Sequence, residues 1–174
     1  MSAHTASTWI HTVRDGQRVL VRPVVPTDRA ELARGYETLS PASRRARFGA
    51  APEHLSAGRL DQLVDLDDDN RFAIAAVAVD EPGQPGVGVA RYVRCRDDPT
   101  TAEAAVVVLD DHQGRGIATI LMGHLVDAAR THGIETLTGT VMWDNSLLLD
   151  AVRAAGATVT PAEPGVASVR LRLV

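Results

Sequence analysis

The sequence predicts the α/β (α+β) class, with a mixed, mostly antiparallel central sheet flanked by helices. Three observations lead there. Residues 72–79, 86–94 and 102–109 are consecutive strand-like apolar runs, separated only by Glu81-Pro82-Gly83-Gln84-Pro85 and by Asp97-Asp98-Pro99. Connections this short join antiparallel neighbours, because a parallel pair needs a crossover of a dozen residues or more. Such a crossover comes next. After Gly114-Arg115-Gly116 a long amphipathic helix carries Ile117, Leu121, Leu125 and Ala128 on one face, and residues 134–142 return as a strand. Finally, 174 residues at 45% hydrophobic and 23% charged describe one ordinary globular domain that can bury a core.

Taken in order, residues 1–12 are small, polar and weakly patterned, which predicts a loose lead-in to a single domain over 13–174. Residues 18–24 are β-branched and closed by prolines, hence a strand. Pro26-Thr27-Asp28 starts a helix whose stripe is Leu32, Tyr36 and Leu39. Ser40-Pro41 opens a second, with Arg44, Arg45 and Arg47, and residues 55–66 form a third around Leu55, Leu60, Leu63 and Val64. The three strands and the long helix follow, with Gly133 as the cap of that helix. A helix from Asn145 ends at Gly156. Thr158 begins a short strand, and Val169, Leu171 and Leu173 alternate with polar neighbours in the last one. The order is β-α-α-α-β-β-β-α-β-α-β-β, with no repeat, low-complexity segment or linker.

Composition excludes several chemistries. The chain has 18 basic and 22 acidic residues, a net charge of −4, and every base is arginine. Without lysine there is no internal Schiff base, no pyridoxal anchor and no Walker-A phosphate binder. A mildly acidic chain with 3% aromatics suits neither nucleic acid nor an anionic membrane. The single Cys95 reads as a strand-end residue, and one unpaired thiol without a signal or spanning segment predicts a cytoplasmic protein. His112, His124 and His132 have no metal-ligand spacing, so no metal is expected.

The chemically informative stretch is Asp110-Asp111-His112-Gln113-Gly114-Arg115-Gly116-Ile117-Ala118-Thr119, which joins a strand to a helix N-terminus. Two glycines let successive backbone N–H groups converge, and the helix dipole adds positive potential, a combination suited to pyrophosphate. Arg115 would add a cation and Thr119 a hydroxyl. A dinucleotide fingerprint would need glycine at Thr119 and a larger sheet after it. The alternative pattern, Gln/Arg-x-x-Gly-x-Gly/Ala, is met by Gln113, Gly116 and Ala118.

On these residues, on the order of elements and on Asn145 followed by a helix and Gly156, the chain resembles the GNAT superfamily of acyl-CoA N-acyltransferases. Ala102-Glu103-Ala104-Ala105-Val106-Val107-Val108 and Leu39-Ser40-Pro41-Ala42-Ser43-Arg44-Arg45-Ala46-Arg47-Phe48 resemble bacterial Pat-type protein lysine acetyltransferases. The resemblance implies acetyl-CoA as cosubstrate, held by Val106, Val107, Val108 and by Gln113, Gly114, Arg115, Gly116, Ile117, Ala118 and Thr119. The acceptor would be a primary amine, a protein lysine by subfamily or else a small amine, and the protein a monomer or homodimer. A CoA-binding sensor without catalysis is the rival from another class.

Glu103 is the implied general base, since an apolar strand would raise its pKa toward the working range. It could equally be a solvent-face carboxylate held by Arg91 or Arg170. Main-chain N–H groups near Val108 and Leu109 would polarise the thioester if the strand splays from its neighbour. Asn145 either bonds the pantetheine arm or caps its helix. Val152 stands seven residues after Asn145, where many relatives carry an acid tyrosine, so water or a residue such as Tyr92 would replace it. Residues 65–69, with four aspartates, could attract a cationic amine or be a solvated loop.

Overall fold

The computed structural model describes residues 7–49 and 52–174. In Arg18–Pro23 the buried Val19 and Val21 alternate with the half-buried Leu20, and this run forms β2. Ahead of it, Trp9–Thr12 is a strand, β1, paired antiparallel with β2 from Trp9↔Val21 to Thr12↔Arg18. Residues 9–12 are therefore not part of a loose lead-in. The sequence hid them because they bury no apolar face: Trp9 and Ile10 are exposed, and the strand is held by its ladder and by Trp9 stacked on His124 at 4.1 Å.

Three helices follow: α1 (Arg29–Thr38), α2 (Pro41–Phe48) and α3 (Ala57–Val64). Ser40 and Ser56 cap α2 and α3 by accepting from Ser43 N–H and Arg59 N–H. The Ser56 cap makes α3 shorter than the apolar pattern from Leu55 predicts. Next come β3 (Arg71–Ala78), β4 (Gly86–Arg94), β5 (Thr101–Val108), α4 (Ile117–Thr131), β6 (Thr136–Met142), α5 (Ser146–Ala154), β7 (Thr158–Glu163) and β8 (Val166–Arg172).

The strands form one sheet in the order β1-β2-β3-β4-β5-β6-β8-β7. Among its pairings only β5–β6 is parallel, which is the mixed, mostly antiparallel architecture that the pattern of short turns and one crossover predicts. One face packs on α4, whose Ile117, Leu121, Leu125 and Ala129 are buried against Val87, Ala90, Tyr92, Ala102 and Val108. The other face, with Ala73, Ala75 and Val89, lies under Leu32 of α1 and Val64 of α3. α5 sets Leu149 on Val141, Ala167 and Val169.

β5 and β6 share three register positions, Thr101↔Thr136, Ala102↔Leu137 and Glu103↔Thr138, and then part. Beyond that point β6 continues with β8 as far as Met142, leaving the β6-facing edge of β5 from Ala104 onward without a strand. Gly139 sits at the fork, where a Cβ would lie 2.9 Å from the Ala104 carbonyl oxygen. An isolated glycine inside a strand commonly marks such a close backbone approach.

Candidate functional site

The fork exposes a defined set of backbone groups. In an antiparallel pair, alternate residues bond to the partner strand and those between point away. Leu109 N–H donates to Val87 O at 2.8 Å and Cys95 N–H to Thr101 O at 2.9 Å, so the odd-numbered residues of β5 face β4. Val106 and Val108 then turn their N–H groups toward the side that β6 has vacated. The Val108 carbonyl accepts from Gln113 Nε2 at 3.0 Å. Of the two amides expected to polarise a carbonyl, that of Val108 is available and that of Leu109 is spent on the ladder. Val107 bonds to β4 and places its side chain on the α1–α3 face.

Just past β5, Asp110 fastens the loop to the start of α2, accepting from Ser40 N–H at 3.0 Å, Ser40 Oγ at 2.8 Å and Ser43 Oγ at 2.9 Å. Partial burial pushes its carboxyl up, and these donors more than reverse that, holding it below the usual carboxylate range. Gly114 and Gly116 then take φ of 76° and 92°, a region that side chains with a Cβ disfavour. Gly116 is the N-cap of α4, and its carbonyl accepts from Ile120 N–H. The N–H groups of residues 114–119 have no protein acceptor among the described residues. Ile117 is buried and Ala118 packs on the core, so the first turn is fixed while Thr119 faces solvent. Converging free amides at a helix N-terminus form an anion cradle, and they fit a pyrophosphate.

The Arg115 guanidinium already has partners within the protein. It bonds Asp15 at 3.0 Å, Gln17 Oε1 at 3.0 Å and the Asp111 carbonyl at 2.9 Å, tying the loop to the β1–β2 hairpin.

Glu103 lies at the closed end of the fork, opposite Val93 and Thr138. It is exposed, so the desolvated surroundings expected for it are absent. Neither Arg91 nor Arg170 bonds it, and its carboxylate has no hydrogen-bond or ion-pair partner among the described residues. Along β5 about 10 Å separates it from Val106. The same face carries Arg91 and, from α2, Arg47. Burial pulls the Arg47 guanidinium down to about 10, repulsion from Arg91 and Arg59 adds to this, and Glu103 opposes it. Arg91 is lowered likewise by burial and by Arg59 and Arg71, with Glu103 again opposing.

Other expectations are settled by placement. Tyr92 is fully buried on the α4 face, its hydroxyl 2.6 Å from His132 Nδ1 and 3.3 Å from the Asp69 carbonyl oxygen, and burial pushes its pKa well up. On the face opposite Glu103, it is no acid for this site. Val152 packs with Leu148 on the Val141 cluster. Three of the four aspartates of 65–69 are used locally: Asp67 accepts from the N–H groups of Asn70 and Arg71, Asp65 pairs with Arg71, and Asp69 with Arg94. Asn145 stands exposed beyond the end of β6 and caps α5, accepting from Leu148 N–H at 3.3 Å. No cluster of three or more metal-ligating side chains occurs among the described residues. No helix among them is long and apolar enough to cross a membrane.

Sequence reasoning missed the hairpin brace on Arg115, the crowding at Gly139 and the facing of Arg47 and Arg91. Only Gly139 carried a signal, as a lone glycine inside the run 136–142.

Comparison with known proteins places the chain in a family. The profile of the Acetyltransferase (GNAT) family matches residues 36–148. The chain is 34% identical over 148 residues to Acetyltransferase PA5475 of Pseudomonas aeruginosa, covering 85% of this chain and 79% of that one. It is 31% identical over 154 residues to Acetyltransferase Pat of Mycolicibacterium smegmatis, covering 88% of this chain but only 45% of that protein. Its fold superposes on the crystal structure of the GNAT domain of S. lividans PAT with a TM-score of 0.85 and 29% identity, over 99% of both chains. With an anion cradle after β5, a forked β5–β6 edge and this likeness over nearly its whole length, the chain belongs to the GNAT family of acetyltransferases.

Proposed function

We propose that the protein transfers an acetyl group directly from acetyl-CoA, the acyl donor of its family, to a protein lysine. The observation that carries this is the alignment of three elements along β5: a solvent-facing carboxylate at Glu103, unpaired N–H groups at Val106 and Val108, and the amide cradle of residues 114–119. The cradle and the open edge would hold the pyrophosphate and the arm that follows it. The N–H groups of Val106 and Val108 would bear the charge that develops on the carbonyl oxygen. Glu103, directly or through water, would take the proton that the amine sheds as its nitrogen bonds the acetyl carbon and the thiolate departs. No side-chain acid is needed, because a thiol of pKa ~8.5 leaves readily near neutral pH. Lysine as acceptor rests on the likeness to the two Pat proteins.

Glu103→Gln tests the reading. Turnover on a lysine peptide should fall by ~10²–10⁴ at pH 7 with acetyl-CoA affinity unchanged, the usual share of a positioned base. The deficit should narrow as pH approaches the ~10.4 of a free lysine amine. A variant that keeps half the wild-type rate at pH 7 removes Glu103 from the mechanism.

A further inference from the structure

Between α1–α3 and the sheet lies a cavity of about 330 Å³, walled mainly by apolar side chains such as Leu32, Leu63, Phe48 and Ala75, with Val107 of β5 on its wall. Five charged residues reach it. Three are neutralised in place: Arg22 pairs with Asp28 at 2.7 Å, and Glu31 pairs with Arg34 at 2.6 Å while accepting from Gly86 N–H. The other two, Arg47 and Arg91, form no ion pair or hydrogen bond with any described residue, and Glu103 acts on them only at longer range. Arg47 merely lies over the Phe48 ring at 4.8 Å.

This is a costly arrangement if nothing uses it. Guanidinium groups stay charged at neutral pH, and a charge removed from water without a partner is unfavourable. Arg47 sits in the last turn of α2, where the helix dipole favours a cation, but that benefit needs no turn into a cavity. Arg91 stands in register with Ala73 and Ala105, two small residues that leave its head uncovered. Glu103 is its diagonal neighbour on the same face, roughly 7 Å away between β-carbons. A bare ammonium arriving at Glu103 would meet two cations. An acceptor that brings its own carboxylate turns that repulsion into two-point binding.

We propose that Arg47 and Arg91 form an anion clamp, selecting acceptors that carry a carboxylate within a side chain's length of the reacting amine. This rests on the reading of the Glu103 face as the acceptor side. The carboxylate would come from an acidic residue flanking a protein lysine or from the acceptor's own backbone end in a free amino acid.

The test uses the full chain, acetyl-CoA and four acceptors: lysine peptides flanked by Glu or by Ala, free lysine, and lysinamide. The clamp requires that kcat/KM favour the carboxylate-bearing member of at least one pair by about 10-fold or more, as charge-assisted bidentate bonds do. Arg47→Met and Arg91→Met should each shrink that ratio toward one, mainly through KM. Neither should lower Tm, since each removes an unpaired charge from an apolar wall, whereas an arginine with a structural role would. Preference within the peptide pair supports the clamp on a protein acceptor, and preference only for free lysine supports it on a small one. Equal rates within both pairs, or a preference that survives both substitutions, overturn the clamp and leave amine acetylation standing. Acetylation of none of the four overturns clamp and proposed function together.

Discussion

Gly139→Ala adds one methyl group at the point where β5 and β6 part. On the observed backbone that carbon would lie 2.9 Å from the Ala104 carbonyl oxygen. The closest ordinary carbon–oxygen contacts are ~3.3 Å, so the two strands must separate by roughly 0.4 Å. Neither side can yield by rotating a side chain: Gly139 sits in the ladder opposite Val169, and the Ala104 carbonyl belongs to backbone fixed by its neighbours Glu103 and Ala105, which face β4. Forced separation of packed elements costs ~1–3 kcal/mol, against which the lower chain entropy of alanine returns ~0.5–1. A net loss of ~0–2.5 kcal/mol follows, centred on ~1 and so ~2–4 °C in Tm for a chain of this size. The same shift widens the gap that receives the acyl arm. Misplacement by 1 Å can cost 10²-fold in rate, so a few tenths should cost about 10-fold in kcat. Thermal denaturation and steady-state CoA release measure the two effects. Gly123→Ala is the control: that glycine is exposed on α4, and an added Cβ there would meet nothing within 4 Å, so the variant should gain up to ~1 kcal/mol. If Gly139→Ala melts at or above the wild type, the close approach does not set the fork.

Two further substitutions separate ligand binding from folding. Thr119→Glu puts a carboxylate in the exposed first turn of α4, where the helix dipole favours it by ~0.3–1 kcal/mol, so Tm should hold or rise. Two phosphate charges about 8 Å away, at an effective dielectric midway between protein and water, would repel it by ~2 kcal/mol; calorimetry should find acetyl-CoA bound ~30-fold more weakly, and unchanged affinity would place the pyrophosphate elsewhere. Asp28→Asn addresses acid stability. Its carboxyl is held below the usual range by Arg22, against opposing burial, with help from Val25 N–H. A depressed carboxyl stabilises fully above its unfolded value near 4 and loses that contribution as pH falls through its folded value. Unfolding free energies from urea titrations should therefore show a gap of about 1–2 kcal/mol between wild type and variant from pH 5 to 7, closing below pH 4. A gap that persists at pH 2.5 would mean that Asp28 acts by packing alone.

Much of this was legible wherever the signal is local. The helix start at Ser40, the hairpin from β3 to β4 and the glycine cradle at 114–116 each declare themselves within a few residues. What stayed hidden depends on partners distant in sequence. The pattern cannot say that Arg115 is consumed by Asp15 and Gln17 or that Leu109 N–H is taken by Val87. Nor can it say that Glu103 faces water, because the apolar neighbours that suggested a dry site lie on the other side of the same strand. β1 escaped because an edge strand with both faces wet has no hydrophobic alternation to read.

The brace between the cradle and the N-terminal hairpin couples two remote parts of the chain. Arg14 N–H reaches the Arg115 carbonyl at 3.3 Å, and the Arg115 guanidinium grips Asp15 and Gln17 in return. Because these contacts tie the two segments, ordering of the cradle favours ordering of the hairpin, and the reverse. A pyrophosphate on the cradle, where Arg14 Nε would lie 3.9 Å from a Cβ on Gly116, would then slow amide exchange in β1. In the other direction, a fusion or truncation that frays β1 would loosen a binding loop a hundred residues downstream, so the outermost strand of the sheet acts as a tensioner on its most chemical segment.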